Sequence, residues 1–497
     1  MDILNFLLQG FTVALQPINL GVALFGAFIG TLAGALPGIG PINGVAVLLP
    51  IAYAINLPPE TALIMLAGIY YGAEYGGRIS SIMLNIPGDS SAVMTTIDGY
   101  PLAQQGYAGK ALAISAISSF IGGTIAVIGL TLFAPLLARV AIQFGPAEYF
   151  ALIVFAFSTL AVIIGKNPIK TAIAAILGMM LSTVGVDSST GVLRYTYAQP
   201  ELYDGIDFLI VVIGLFAISE ILILLEKTGV DNFVPIKIKK TAFEWADILK
   251  CKWTVLRSAI IGFVIGVLPG TGASVASAVA YSVEKRINDK EGTFGKGDIR
   301  GLAAPEAANN AAAGGAFVPM LTLGIPGSGT TTILLGALLL YNIQPGPMLF
   351  AEKPEVAGGL IASMYIGNLM LLVLNLPLVN VFTRILLLPD WLLMPGITVM
   401  AMVGVLSVNG SILSILSMLA IGIFGYFLRK LEYSLIPLIL GFVLGQLLED
   451  NLRRALAISG GEMGILFQSN IARVFWLLTF ITIVILPIIR LIYKKLR

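Results

Sequence analysis

Apolar runs of roughly 18–25 residues follow one another along this chain, separated by short charged turns. A run of that length crosses hydrocarbon as a helix, whereas a lipid-crossing strand alternates apolar and polar residues over about ten positions. Only helices and closed barrels pair every backbone group inside lipid. The runs therefore predict an all-α polytopic membrane protein with about 11–12 transmembrane helices. Composition agrees: 57% of the 497 residues are hydrophobic and 11% charged, against about 25% charged in soluble domains. A net charge of +2 points to no nucleic-acid partner. The single cysteine, Cys251, forms no internal disulfide, and the absence of histidine removes His-based catalysis and His metal sites.

The chain repeats itself. Leu36-Pro37-Gly38-Ile39-Gly40 returns as Leu268-Pro269-Gly270-Thr271-Gly272, 232 residues later. Gly76-Gly77 returns as Gly314-Gly315, and Asn85-Ile86-Pro87-Gly88 as Gly324-Ile325-Pro326-Gly327, at offsets of 238 and 239. Each half thus carries one Pro-Gly break inside an apolar stretch and a second in the next segment. The expected organisation is an interfacial or transmembrane helix at 1–20, a first repeat at 21–226, a basic cytoplasmic linker at 227–256, a second repeat at 257–450, and a C-terminal span with a cytoplasmic tail at 451–497. Asp98-Gly99-Tyr100-Pro101 reads as the turn that ends the first broken segment.

Charge sets the topology. Residues 258–282 are flanked on both sides by clustered Lys and Arg, so the positive-inside rule puts both flanks in the cytoplasm. A re-entrant helix–break–helix hairpin with Leu268–Gly272 at its tip satisfies that, and a straight helix does not. No Lys or Arg occurs from Met1 through Gly77, so the first hairpin fits the opposite face. The repeats are thus expected to have inverted topology, each with a re-entrant hairpin and a broken helix. Alternating the loops places 22 of the 29 basic residues inside, and puts the C-terminus there too.

A Pro-Gly break exposes peptide groups at membrane depth, which is tolerated where protein or a wet cavity satisfies them. Half-helix N-termini offer N–H groups to anions, and loop carbonyls offer oxygens to cations. Candidate substrate-binding residues are Pro37, Gly38, Gly40, Asn43, Asn85, Pro87 and Gly88 in the first half, with Pro269, Gly270, Gly272, Asn309, Asn310, Pro326, Gly327 and Ser328 in the second. Asn85, Glu306, Asn310 and Thr330 are candidates for cation coupling, with Na+ or H+ as the ion and no other cofactor. Asp89, Ser90 and Ser91 add polar groups to the second break of the first half. Glu74 and Arg78, four residues apart, read as a mutual ion pair; the alternative is that Arg78 meets a substrate carboxylate. Glu306 reads equally as a coupling carboxylate or as a residue at the cytoplasmic mouth.

Taken together, Leu36–Gly40, Tyr70–Ala73, Tyr75–Gly77, Asn85–Gly88, Asp98–Pro101, Phe144–Pro146, Leu268–Gly272, Ala303–Asn310 and Leu323–Ser328 resemble the large permease subunit of the tripartite tricarboxylate transporters (TctA-type). The resemblance runs from about residue 20 to 465 and departs from the family pattern at Glu74 and Arg78. It implies a secondary active transporter in the cytoplasmic (inner) membrane of a prokaryote, importing a citrate-like di- or tricarboxylate with Na+ or H+. It also implies a small four-helix membrane subunit and a periplasmic or extracellular solute-binding protein. A passive channel for organic anions is the competing reading. An enzyme acting on lipid is disfavoured by the scattered acids Asp89, Asp98 and Glu306, and no Walker A, GxSxG or HExxH motif is present.

Overall fold

The computed structural model describes residues 3–36, 38–163, 167–187, 189–226, 244–378, 381–382, 384, 390–485 and 488. Pro37, most of the basic linker and the C-terminal tail fall outside this set. The first half contains α1 (Ile3–Ala14), α2 (Pro17–Ala35), α3 (Gly40–Ala54), α4 (Pro59–Leu84), α5 (Val93–Leu102), α6 (Ala108–Ala141), α7 (Pro146–Ile163) and α8 (Pro168–Ser182). A two-residue hairpin, β1 (Gly185–Val186) with β2 (Leu193–Arg194), leads to α9 (Phe208–Val212), which continues through a π-turn into α10 (Ser219–Glu226). The second half has α11 (Trp245–Val267), α12 (Gly272–Asn288), α13 (Ile299–Gly315), α14 (Phe317–Leu323), α15 (Gly329–Leu340), α16 (Leu349–Glu352) and α17 (Pro354–Asn375). It closes with α18 (Asp390–Asn409), α19 (Ile412–Lys430), α20 (Leu435–Ile458) and α21 (Asn470–Phe480). Among the described residues, six helical segments are long and apolar enough to cross a membrane, and shorter apolar helices accompany them. The chain is an all-α, multi-pass membrane protein.

The breaks fall where local sterics put them. A residue before proline is pushed out of the helical region. Leu36 accordingly stops α2 at φ −77°, ψ 119°, and Leu268 stops α11 at φ −76°, ψ 127°. Gly40 and Gly272 then restart the chain at φ +61° and +66°. The second break follows the same logic: α4 ends on Asn85 at φ 59°, ψ 25°, and α14 on Gly324 at φ 68°, ψ 24°. Both are left-handed helix caps, which Gly and Asn adopt at least cost.

Packing repeats at the same spacing. A methyl group on Gly30 of α2 would strike the Ile69 carbonyl of α4, and one on Gly262 of α11 would strike the Ala308 carbonyl of α13. Gly34 meets the Ala73 carbonyl as Gly266 meets that of Ala312. In the other direction, Gly76 faces the Thr31 carbonyl as Gly315 faces that of Phe263, and Gly88 faces Gly34 as Gly327 faces Gly266. Every α2 position recurs 232 residues later and every partner position 239 residues later. Apolar helices in lipid gain little by touching one another except through close backbone contact, which small residues permit. The glycine stripes therefore lock α2 on α4, and α11 on α13, in one shared geometry.

Two expectations change here. Asp98–Pro101 is not a turn: it lies inside α5, which runs on through a π-turn at Ala103–Tyr107 into α6, with Gly106 at φ +92° as the kink. The buried Asp98 carboxylate accepts from the amides of Gly295, Gly297 and Asp298 at 2.8–2.9 Å and from the Tyr281 hydroxyl at 2.9 Å. It holds the loop between α12 and α13. The linker also ends earlier than expected, because α11 starts at Trp245 under a Glu244–Asp247 capping box.

At another edge α8 packs on α20, where Gly178 meets the Leu438 carbonyl and Gly441 that of Ala175. Beside this contact, Asp187 and Glu449 alternate with Arg194 and Arg453 in a closed ring of four ion pairs at 2.6–3.4 Å. The Thr190 and Ser189 amides, together with Arg453, hold the Asp187 carboxyl below its usual range. The ring ties the β-hairpin to α20.

Candidate functional site at the helix breaks

The site is built around α4. Its last turns pass between the first break, the segment following Asn85, and α13. The Gly38 amide donates to the Gly88 carbonyl at 3.2 Å, which joins the two breaks of the first half. Gly40 packs against the Asp89 side chain. The Ser90 hydroxyl stands 2.8 Å from that of Ser274, just beyond the break of the second hairpin. One turn before Glu74 on the same face of α4, the Tyr70 hydroxyl is 3.2 Å from Ser328, which caps α15 after the fourth break. The Pro269 carbonyl accepts from Thr159 of α7 at 2.9 Å. Among the candidate residues, Gly38, Gly40, Gly88, Asn309 and Ser328 thus come together around one helix.

The charged residues of α4 do not pair as their spacing suggests. Glu74 and Arg78 form no ion pair. Glu74 turns toward Ser91, whose hydroxyl is 2.9 Å from Glu74 Oε2, and Asn309 of α13 lies beside its carboxyl. Arg78 lies against the face of Tyr75, its guanidinium carbon 4.8 Å from the ring centre. The side chain is 1% exposed, and its Nε and Nη1 have no hydrogen-bond partner. Burying a cation without full pairing is costly, so such groups usually serve a purpose.

Glu306 is buried rather than at a cytoplasmic mouth. Its oxygens accept from Thr95 at 2.5 Å and from Ser119 at 2.8 Å, and its charge faces Arg78. Asn310 donates to the Glu306 carbonyl at 3.2 Å, which leaves its buried Oδ1 without a partner; Asn309 Oδ1 has none either. Asn43 donates back to the Gly38 carbonyl. Thr331 and Thr332 bond locally to Ser328, while Thr330 is buried beside them. Tyr70, Thr95 and Ser119 were not singled out from the sequence, because their partners lie on other helices more than 180 residues away. Tyr70 alone left a trace, standing one helical turn before Glu74.

A cleft of about 520 Å³ opens along one face of α12, from Ser274 through Ala278 and Ser282 to Arg286. Its inner end is the Ser274 hydroxyl that meets Ser90. Val275, Val279 and Val283 line the same face, so the groove is apolar along its length and polar at Ser274, Ser282 and Arg286.

The model of the tripartite tricarboxylate transporter TctA family matches residues 20–440. The chain belongs to that family. A relative from Agrobacterium vitis, named as an uncharacterized 52.8 kDa protein in the TAR-I ttuC' 3'region, is 42% identical over 473 residues, covering 95% of this chain and 94% of its own length. A second from the same organism, named as an uncharacterized protein in the TAR-II ttuC' 3'region, is 44% identical over 211 residues, covering 42% of this chain and 87% of its own. No solved structure matches. Membership makes this TctA-family chain a transporter membrane subunit and not an enzyme, within a system that also comprises a small membrane subunit and a solute-binding protein.

In this TctA-family chain the cap at Asn85 can be tested against its own repeat. Asn85→Gly installs what Gly324 already is, and is expected to keep wild-type levels of protein in the membrane. Asn85→Ala keeps a Cβ in the left-handed region but loses the polar side chain that lets asparagine sit there, at about 1 kcal/mol, and is expected to lower both membrane level and uptake. Quantitative blotting of membrane fractions beside uptake reads both. If Asn85→Gly keeps the protein but stops uptake, the side chain itself is a ligand.

Proposed function

We propose that this chain imports a citrate-like di- or tricarboxylate across the cytoplasmic membrane by alternating access, coupled to Na+ or H+. The observation that carries this reading is the convergence of interrupted helices on α4 beside Arg78, a buried cation with free N–H groups. A guanidinium binds a carboxylate through two parallel N–H donors. The second carboxylate of the substrate would be held by amide N–H groups at the breaks, where half-helix termini favour anions. The duplicated hairpins support inverted repeats, with the charge bias of the loops setting their opposite orientation and a cytoplasmic C-terminus. The solute-binding protein would deliver substrate on the extracytoplasmic side, and the α12 cleft, ending at Arg286, would release it inside.

The test is transport by the purified chain in proteoliposomes, with its two partner subunits, against labelled succinate, malate and citrate. A carrier is expected to show saturable uptake and to exchange external label for internal unlabelled substrate. Flux that never saturates and shows no exchange would instead establish the channel reading.

A further inference from the structure

The deepest part of the site is short of hydrogen. The Ser91 hydroxyl stands 2.9 Å from Glu74 Oε2, 2.7 Å from Asp89 Oδ1 and 2.9 Å from Asp89 Oδ2. A hydroxyl brings one proton. It can donate to one carboxylate, and the other then faces it lone pair to lone pair. Asn309 supplies an independent sign. It is 1% exposed and lies beside the Glu74 carboxyl, yet its Oδ1 has no donor. Two carboxyl groups thus compete for a single hydroxyl proton, with the Ala92 amide as a further donor 3.1 Å from Asp89 Oδ1, and no basic side chain forms an ion pair with either acid among the described residues.

Resting on the transport reading above, we propose that Glu74 and Asp89 are the coupling site of this carrier and share one bound proton through Ser91. A carboxylic acid O–H at Glu74 is the donor this cluster lacks: it can point at Ser91, whose own proton then serves Asp89, or at Asn309 Oδ1 when that amide turns over. A sodium ion between the same oxygens is the alternative, and a sodium gradient at equal pH separates the two.

Among the described residues the surrounding charges form no ion pair with these acids, and Glu306 of α13 adds its negative field to both. On α4, Arg78 is directed to Tyr75 and to Glu306 of α13, and Glu306 is held by Thr95 and Ser119. Tyr70 and Tyr71 are the other titratable neighbours on α4. Across the first break, Glu220 of α10 reaches Gly38 but is paired to Arg429. On α5, Asp98 is engaged by the loop after α12. Helices α2, α3 and α15 bring no acid or base to α4. Asp89 is half-buried and Ser90 exposed, whereas Glu74 is buried. Water therefore reaches the pair through Asp89, and the Ser90–Ser274 contact places that opening at the inner end of the α12 cleft. In each cycle one proton would bind the carboxylate pair on the outside, cross with the substrate, and leave to water inside, restoring the two carboxylates.

The experiment has two arms. In proteoliposomes carrying the chain and its partner subunits, labelled citrate or succinate is driven by an inward pH gradient without sodium, or by a sodium gradient at equal pH. The pH gradient is expected to drive accumulation and the sodium gradient is not. In Glu74→Gln the ratio of pH-driven accumulation to exchange is expected to collapse, because glutamine keeps the hydrogen bonds but carries no proton. Sodium-driven accumulation in the wild type, or a Glu74→Gln protein that accumulates as before, overturns the proposal. The second arm needs no substrate. Infrared spectra of the purified protein at neutral pH are expected to show a carboxylic-acid C=O band in the wild type that the Glu74→Gln/Asp89→Asn protein lacks; identical spectra overturn the shared proton. Absence of exchange in the wild type would defeat the transport reading, and the infrared arm would still decide the protonation.

Discussion

Arg78→Gln is expected to lower carboxylate uptake by about two to three orders of magnitude while leaving the protein folded in the membrane. Removing one member of a buried charge-to-carboxylate contact costs about 2–5 kcal/mol, and each 1.4 kcal/mol is tenfold. The argument rests on what Arg78 lacks. A structural arginine at this depth would be tied to Glu74, one turn away, yet the two nitrogens Nε and Nη1 remain without partners and the ring of Tyr75 covers one face of the guanidinium. The Arg78 charge also faces the buried Glu306, so removing it is expected to lower the melting temperature modestly while the protein still folds. Arg78→Lys keeps the charge but not the fork and is expected to fall between the two in uptake. Wild-type uptake by Arg78→Gln, or a melting temperature lowered in step with uptake, would remove Arg78 from the substrate site.

The second large effect lies in the glycine stripes. Gly34→Leu and Gly266→Leu are each expected to abolish accumulation of folded protein in the membrane. Both side chains would run into a backbone carbonyl, of Ala73 in one half and Ala312 in the other. A carbonyl fixed in a helix cannot rotate away, so the helices must part along the whole contact. Overpacking costs about 1–3 kcal/mol even where side chains can yield, against a total stability of about 5–15 kcal/mol. Gly21→Leu is the control, because that position on the same α2 has nothing near it; it is expected to be tolerated. Size-exclusion profiles of detergent-solubilised variants, set beside membrane levels, report the outcome. Normal profiles for Gly34→Leu and Gly266→Leu would show that the stripes do not hold α2 on α4 or α11 on α13.

Features set by local chemistry were readable from the sequence. A Leu-Pro-Gly-x-Gly run ends one helix and begins another wherever it occurs, because proline restricts the residue before it and glycine accepts the left-handed turn after it. Both first breaks follow from that rule; the second breaks end instead on left-handed caps, Asn85 and Gly324, two residues before a proline. What depended on distant residues was not readable. Asp98-Gly99-Tyr100-Pro101 has the composition of a turn, yet it stays helical, its Asp98 held by three amides about 200 residues further along the chain. Glu74 and Arg78 have the spacing of an ion pair, but Asn309 and Ser91 draw one away and Tyr75 and Glu306 the other. Within the site, backbone positions such as Gly38, Gly40 and Gly88 could be named in advance. The Ser91 bridge could not, since nothing in an Asp-Ser-Ser run says which carboxyl group will fold against it.

The duplication of the glycine contacts has a sequel in what was not duplicated. Where the first half has Glu74, Arg78 and Asp89, the corresponding positions of the second are Ala313, Phe317 and Ser328. The molecule writes the glycine contacts twice but these three ionisable positions once, and its second half brings Glu306 instead, where the first has Ala67. Two conformations that exchange the roles of its halves would be mirror-like in packing and unlike in field, so ligand charge, rather than the fit of helix on helix, would decide which is populated.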